Sequence, residues 1–325
     1  MSNLATSEPA IAAAPALATG EDVRFRRLRF FIAFLRARPS FAVGYAITTI
    51  VIVVALFAPW LAPYGPMTAD PSVYLLPPGG SHVLGTDGAG MDIFSRVVFA
   101  PRVDLAIAII GTLTSATIGG VIGAIVGYYE GQRAWRRAIS TLVMRSADVL
   151  QAFPVFVFAI ALVAVFGQSV KSIILAIAFV NTPIYLRLMR IQVLSISKLR
   201  YVEAAYVAGA SDVAILRRHV IPNAAAPLLA QLSVNIGWSV LLTAGLSFVG
   251  AGVVAPTPEW GSMIAMGFQN VVTGQWWPSV FPGLALALTV FGFALIGSSI
   301  EFMADPKSRR ALESGLPAMT PDTGS

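Results

Sequence analysis

The sequence of 325 residues contains no cysteine and only two histidines. Without thiols there is neither a disulfide framework nor a thiolate metal site, and two histidines are too few for a histidine-built metal cluster. Charged residues make up only 12% of the chain, whereas a soluble domain carries about a quarter. The sequence also has no phosphate-binding loop of the GxxxxGK(S/T) type, so the chain is not expected to bind a nucleotide through one.

Apolar residues are abundant instead: 56% of the chain is hydrophobic and the mean hydropathy is +0.76. Because a bilayer core requires about 20 apolar residues per helix, the hydropathy pattern predicts an all-α integral membrane protein with six transmembrane helices. The fourth is the weakest, since Asn181 and Pro183 interrupt it. The predicted spans are residues 41–62, 103–128, 142–166, 172–190, 224–250 and 279–303.

Composition divides the chain into four expected regions. Residues 1–40 form a cytoplasmic tail and a basic, Phe-containing arm suited to the membrane surface, with nucleic-acid binding as the weaker alternative. Residues 41–101 hold the first transmembrane helix and a periplasmic loop, residues 102–306 the transmembrane core, and residues 307–325 a second cytoplasmic tail. Within the core, a Pro-, Gly- and Trp-rich loop is expected over residues 251–278.

The distribution of basic residues predicts the orientation in the membrane. With six spans, all but three of the 22 Lys and Arg residues lie on the side of the N-terminus; the exceptions are Arg96, Arg102 and Lys171. This asymmetry follows the positive-inside rule and places both termini in the cytoplasm. Arg187 and Arg190, at the end of the fourth span, are expected to snorkel to the cytoplasmic surface.

Small residues recur at every fourth position of the second span. Five consecutive positions form a smooth ridge, which allows another helix to approach closely. The ridge consists of Gly111, Ser115, Gly119, Gly123 and Gly127.

The most polar long connection, residues 198–223, reads as two short helices. Gly209 is suited to the left-handed conformation that closes a helix. Ser211 is a good N-cap for the next helix, and Asp212 places negative charge at its positive end. Pro222 is expected to end that second helix. The residues alone leave open a pair of amphipathic helices that simply lie on the membrane surface.

Glu203-Ala204-Ala205, followed by Gly209 and by Ile221-Pro222, resembles the EAA loop of ABC-transporter permease subunits. The tail RHVIPN, from Arg218 to Asn223, is similar to the version in peptide-type importers. The resemblance implies that this helix pair docks into a separate ATP-hydrolysing subunit. The residues then expected to couple the two chains are Glu203, Ala204, Ala205, Gly209, Arg217, Arg218, His219, Pro222 and Asn223.

Roles follow from the same resemblance. Glu203 is the expected charged anchor in or beside the ATPase groove, Ala204 and Ala205 permit close approach, and Gly209 sets the angle between the helices. The two arginines at 217 and 218 would meet either acidic groups of the ATPase or lipid phosphates, and the sequence leaves both open.

Further motifs narrow the resemblance. HVLGTDGAGMDIFSR at 82–96, and LSFVGAG with PTPEWGSM within 246–263, are similar to segments of peptide/nickel-type permeases, so the likeness covers about residues 80–306. Four positions depart from that family's usual residues, which leaves the substrate open among peptides, nickel complexes, glutathione-like and opine-like compounds. These positions are Met91, Thr243, Ala294 and Ser298.

The chain is accordingly identified as resembling the C-type permease subunit of a dipeptide/oligopeptide importer in a bacterial inner membrane. The resemblance implies a second, different permease, cytoplasmic ATPase subunits that hold ATP and Mg, and a periplasmic solute-binding protein. It implies no catalysis, no cofactor and no metal in this chain.

A stand-alone secondary transporter is the main alternative. Such proteins need ionisable groups near the bilayer midplane, whereas Asp104, Asp148 and Glu301 fall near span ends. Polar residues within spans either line a pathway or bond between helices; they are Asn181, Gln231 and Asn235. An intramembrane protease is a remoter alternative, because Ser247 has no histidine within reach.

Overall fold

A computed structural model describes residues 31–130 and 134–305. Residues 31–37 are helical, and ten α-helices follow within the described ranges. These are α1 (Pro39–Leu61), α2 (Ile93–Tyr129), α3 (Ala134–Ala152), α4 (Val155–Phe166), α5 (Val170–Ile196), α6 (Arg200–Val207), α7 (Asp212–Ile215), α8 (Ile221–Phe248), α9 (Trp260–Val271) and α10 (Trp277–Ala304). The expectations for residues 1–30, for the 131–133 segment and for 306–325 lie outside the described residues.

The membrane-spanning elements confirm the all-α prediction. In the part of the chain that the structure describes, five helical stretches are long and apolar enough to cross a bilayer, and a sixth is obtained if the bent pair α3–α4 counts as one span. One continuous helix over 142–166 was the wrong expectation, because α3 and α4 meet at 93°. The bend lies at Pro154, which has no N–H to donate and keeps the preceding residue out of the helical conformation.

Two further expectations about the spans are wrong. Helix α5 runs without a break through Asn181 and Pro183, both buried against neighbouring helices. A proline is tolerated inside a membrane helix when packing against neighbouring helices and small backbone adjustments compensate for its missing N–H, and Pro183 is buried within the bundle. Helix α2 starts ten residues before the predicted span, because Asp92 caps it by accepting from the Ser95 N–H at 2.8 Å.

The ridge of small residues lies against α5. A Cβ atom on Gly111 would come within 2.7 Å of Ile177, and one on Gly127 within 2.8 Å of the Arg190 carbonyl oxygen. Between them, Gly119 and Gly123 abut the backbone of α5 at residues 182–186. The two helices therefore pack backbone against backbone over four turns, which only glycine or a similarly small residue permits.

Helix α10 packs against both α1 and α8. Gly237 of α8 faces the Phe293 side chain, and the Ser233 hydroxyl donates to the Phe293 carbonyl at 2.9 Å. On the other side of α10, the Tyr45 and Ser299 hydroxyls are 2.8 Å apart. A buried apolar cluster with Ile236, Val240 and Phe293 among its members fills the space between the helices.

We call the two ends of the bundle the α7 end, which carries α6 and α7, and the α9 end, which carries residues 62–92 and α9. The expectation that 251–278 is a plain loop is wrong, because it contains α9. Glu259 starts this helix by accepting from the Gly261 and Ser262 N–H groups at 2.8 and 2.7 Å. Residues 62–92 are fastened to the same end, since Trp277 donates to the Thr86 carbonyl at 3.1 Å.

Candidate functional site

The α7 end carries the predicted helix pair. Helix α6 stops before Gly209, whose φ of +83° is the left-handed conformation that glycine adopts freely. Ser211 then caps α7, since its hydroxyl oxygen accepts from the Ala214 N–H at 3.3 Å. The turn between the two helices is therefore set by Gly209 and Ser211 together.

The expectation that Pro222 ends the second helix is wrong. Helix α7 continues through a π-helical turn, Leu216–Val220, directly into α8. In this turn the Ile221 N–H donates to the Leu216 carbonyl, five residues back. Pro222 then follows the π-helical turn as the second residue of α8 and does not interrupt the helix. The second helix of the pair and a membrane-spanning helix are consequently one rod.

Apolar residues dock the pair onto the bundle. Val202 of α6, Ile215 of α7 and Val220 are buried in one cluster. Their partners in that cluster come from the ends of α2, α5 and α8: Ala124, Met189, Val193, Ile196 and Ala224. Because each of the three docking residues is no more than 5% exposed, the pair sits on the bundle as a fixed element and does not hang from a slack loop.

The opposite face of the pair is open. Glu203 and Ala204 are exposed as the sequence suggests for a docking surface. Beside them, Tyr206, Val207 and Val213 keep 67%, 80% and 70% of their surface exposed. None of these three is among the expected coupling residues, although an apolar residue on the outer face of a short polar helix was the available signal. Such a group of exposed apolar side chains marks a contact surface.

A basic cleft adjoins this face. It has a volume of about 500 Å³ and is lined by Ser211, Val213, Ala214, Arg217 and Arg218. Of the other three expected coupling residues, Ala205 packs partly buried against the apolar cluster of the pair, and the Asn223 amide donates to the His219 carbonyl at 2.5 Å. Both arginines are exposed, so their charges are available to an acidic or phosphate-bearing partner.

Polar contacts tie the α7 end together. The Tyr128 hydroxyl at the end of α2 donates to Asp212, the first residue of α7, at 3.1 Å. Arg190 of α5 donates to both carboxylate oxygens of Glu130 at 2.9 and 2.7 Å, and Arg187 donates to Asp148 of α3 at 2.6 Å. Each of the two arginines therefore forms an ion pair within the chain, and the expected snorkelling toward the cytoplasmic surface stays a prediction.

The three candidate pathway residues do not form one group. Asn181 is fully buried and donates to the Ser239 hydroxyl at 3.2 Å, which connects α5 to α8. Gln231 donates to Asn235 on the same helix at 3.1 Å. Of the two roles that the sequence leaves open, the geometry favours interhelical hydrogen bonding for Asn181.

The four departures from the family's usual residues fall in different surroundings. Met91 is buried at the α9 end, where the Arg96 guanidinium contacts its sulfur at 2.9 Å. It borders a cavity of about 320 Å³ between residues 74–93 and α9. Thr243 is buried and donates to the Ser239 carbonyl at 2.9 Å, whereas Ala294 and Ser298 are exposed one turn apart on α10.

A multi-pass helical bundle that presents a fixed helix pair at one end is typical of membrane permeases that work with a partner on that side. Residues 119–310 match the family described as the binding-protein-dependent transport system inner membrane component. Residues 28–78 match the N-terminal transmembrane domain of oligopeptide transport permease C. The chain belongs to this family of ABC importer permeases and is a multi-pass inner-membrane protein.

Several curated relatives cover almost the whole chain. It is 37% identical to the probable D,D-dipeptide transport system permease protein of Escherichia coli, over 84% of this chain and 90% of the relative. It is 36% identical to the dipeptide transport system permease protein of Alkalihalophilus pseudofirmus, over 82% and 86%. It is also 36% identical to the glutathione transport system permease protein of Pectobacterium atrosepticum, over 88% and 93%. These relatives are permease subunits, which favours an importer subunit over a stand-alone secondary transporter.

Proposed function

We propose that this chain and a second, different permease subunit form the translocation pathway of an importer for peptides or closely related small solutes. The names of the relatives support the substrate class, since they refer to D,D-dipeptides, dipeptides and glutathione. The common chemistry is a short chain of amide bonds with charged ends. The departures at Met91 and Thr243, both buried, keep the individual compound open.

ATP and Mg are bound by partner ATPase subunits, and the helix pair α6–α7 is their docking element. The observation that carries this proposal is the outer face of the pair, where Glu203 stands beside the exposed apolar side chains of Tyr206 and Val207. A charged residue surrounded by exposed apolar side chains is typical of a surface that contacts another protein. Arg217 and Arg218 supply positive charge at its edge for acidic groups of the ATPase.

The continuous rod of α7 and α8 explains how docking would move the pathway. A force on α7 acts on α8 without an intervening hinge, because the π-helical turn keeps the two helices joined. ATP shifts the permease between two conformations only through its different affinity for them, and a swing from 1:99 to 99:1 requires about 5.5 kcal/mol.

The α7 end faces the cytoplasm in this proposal, so both termini are cytoplasmic. The positive-inside distribution of Lys and Arg supports that orientation. The α9 end then faces the periplasm, where the solute-binding protein delivers its cargo. Its contact surface would include the rim of the cavity beside Met91.

The proposal is tested by purifying the tagged chain from its native membrane in a mild detergent and identifying its partners by mass. We expect an ATPase with a phosphate-binding loop and a second permease in stoichiometric amounts. A chain that is repeatedly recovered alone, and that transports solute in vesicles without ATP, would contradict the proposal and support the stand-alone transporter.

The substrate class is tested separately, by uptake in cells that lack only this chain. Labelled dipeptide, glutathione and nickel are supplied in turn, with and without the chain restored from a plasmid. We expect uptake of a peptide-bonded compound to depend on the chain. Dependence of nickel uptake alone would contradict the substrate class and leave the importer assignment intact.

A further inference from the structure

Two carboxylic acids meet inside the α9 end of the bundle. Asp104 lies on α2 and is 1% exposed, and Glu259 precedes α9 and is fully buried. The Asp104 carboxyl accepts from the Trp260 N–H at 3.2 Å, so it lies beside the residue that directly follows Glu259. A buried carboxylate is tolerated only when a cation or several hydrogen bonds compensate its lost hydration.

No cation in the described residues compensates this pair. Helices α1, α4 and α9 have no charged side chain, and residues 221–304 contain only Glu259 and Glu301. On α2, Arg96 donates to the Pro66 and Pro256 carbonyls and faces Asp87 at 3.6 Å, while Arg102 is exposed over the Phe99 ring.

The other basic side chains near the α9 end either have an acidic partner already or are exposed to solvent. His82 bonds to Asp92 at 2.9 Å, and Lys171 at the start of α5 is exposed. The charge acting on each member of the buried pair is therefore the other acid, and two carboxylates in contact cannot both stay ionised in such a place.

The hydrogen bonds show where the remaining charge lies. Glu259 accepts from two backbone N–H groups at the start of α9, one on each carboxylate oxygen. Asp104 accepts one bond through Oδ2, from the Trp260 N–H at 3.2 Å, and its buried Oδ1 has no donor among the described residues. The two donors stabilise the charge on Glu259, so a proton fits on Oδ1 of Asp104.

We infer that Asp104 and Glu259 form a binding site for one proton, which Asp104 carries and donates to the Glu259 carboxylate. The bound proton joins α2 to the start of α9 and so holds the α9 end closed. Loss of the proton leaves two carboxylates in contact and separates α9 from α2. The site thus makes the closure of this end of the permease dependent on pH.

The direction of that dependence follows from linkage. Burial raises the pKa of Glu259 above its usual value, and in the unfolded chain both acids are ionised at neutral pH. The folded protein therefore binds a proton that the unfolded chain releases. Its stability falls as the pH rises above the unfolded pKa values, and this loss stops once the folded site has itself released the proton.

Infrared difference spectroscopy on the purified importer complex tests the site directly. A protonated carboxyl has a C=O stretch well separated from that of a carboxylate, and we expect one such band at neutral pH. Asp104→Asn keeps a donor for Glu259 and should fold, yet it should remove the band. Asp148→Asn, at an exposed ion pair, is the matched control and should leave the band unchanged.

A second variant and a second readout distinguish the assignment from its alternatives. Glu259→Gln should shift the band without removing it, because Asp104 stays protonated. The midpoint of thermal unfolding should fall from neutral to alkaline pH in the wild type and in Asp148→Asn but change less in Asp104→Asn. Absence of the band from the wild type, or its survival in Asp104→Asn together with its loss in Glu259→Gln, would overturn the inference.

Discussion

Arg190 of α5 holds Glu130, the residue after α2, through both carboxylate oxygens at 2.9 and 2.7 Å. We call this bidentate ion pair the fork. It lies at the α7 end of the glycine ridge, where Gly127 abuts the Arg190 backbone. The ridge prevents α2 and α5 from separating sideways, and the fork prevents them from sliding. The two helices therefore act as one unit onto which the helix pair α6–α7 is docked.

Replacing the guanidinium group of Arg190 with an ammonium group should weaken the attachment of α2 to α5. Arg190→Lys keeps the charge but cannot bond to both oxygens of Glu130. We expect a loss of about 1 kcal/mol of stability, since the pair is partly exposed and charge-assisted bonds there contribute modestly. Thermal unfolding of the purified complex measures it. Arg187→Lys, at a single bond to the more exposed Asp148, is the control, and an equal loss there would contradict the role of the fork.

Two adjacent glycines provide a sharper test of the helix contact. A methyl group on Gly119 would meet the Thr182 carbonyl and lie 2.9 Å from the Leu186 nitrogen, both backbone atoms. On Gly120 it would meet only the Leu228 side chain, at an ordinary 3.6 Å. We expect Gly119→Ala to destabilise the protein by about 1–3 kcal/mol and Gly120→Ala to be neutral or slightly stabilising. Similar unfolding midpoints for both variants would disprove backbone contact along the ridge.

At Gly209 the effect of backbone conformation can be tested separately from the effect of steric crowding. No atom of the described residues lies within 4 Å of a Cβ placed there, so it is the φ of +83° that disfavours a side chain. We expect Gly209→Val to insert into the membrane and assemble, yet to uncouple ATP hydrolysis from uptake, because a β-branched residue is strained at positive φ. Gly209→Asn, which tolerates this conformation, should retain most of the uptake. Normal uptake in the valine variant would refute the turn's role in coupling.

The sequence predicts best where one physical rule acts alone. Periodic small residues predict the ridge on α2, and Gly209 with Ser211 predicts the turn of the helix pair. It fails where tertiary contacts override a local rule. Pro183 and Pro222 both read as helix breakers, but burial against neighbouring helices and a π-helical turn accommodate them inside continuous helices. Pro154, with the same chemistry, bends its span.

Contacts between residues that are far apart in the sequence cannot be predicted from any local sequence pattern. Asp104 and Glu259 are 155 positions apart, and each alone resembles an ordinary acid near a span end. Their shared burial arises only when α9 folds back onto α2. The exposed apolar face of the helix pair was missed for the same reason, since its outward direction depends on how Val202 and Ile215 dock.

Tyr128 reports on the contact between the helix pair and α2. Tyr128→Phe keeps the ring and removes the hydroxyl that donates to Asp212. We expect a stability loss of about 0.5–1.5 kcal/mol and a lower ratio of solute imported to ATP hydrolysed. Tyr129→Phe, whose ring stacks edge-on against Tyr128, is the matched control. An unchanged transport ratio in Tyr128→Phe would show that this contact is structural and does not transmit motion.

The exposed face of α6 provides the most direct test of docking. Val207 is 80% exposed, so Val207→Asp places a charge on the surface without disturbing the bundle. In an apolar contact the carboxylate loses its hydration without gaining a partner, and we expect at least a tenfold loss of ATPase retained in the pull-down. Val249→Asp, at a 65% exposed valine of the α9 end, should retain the ATPase fully. If both variants retain it equally, the docking surface lies elsewhere on the chain; if both lose it, the effect comes from added charge and not from the face of α6.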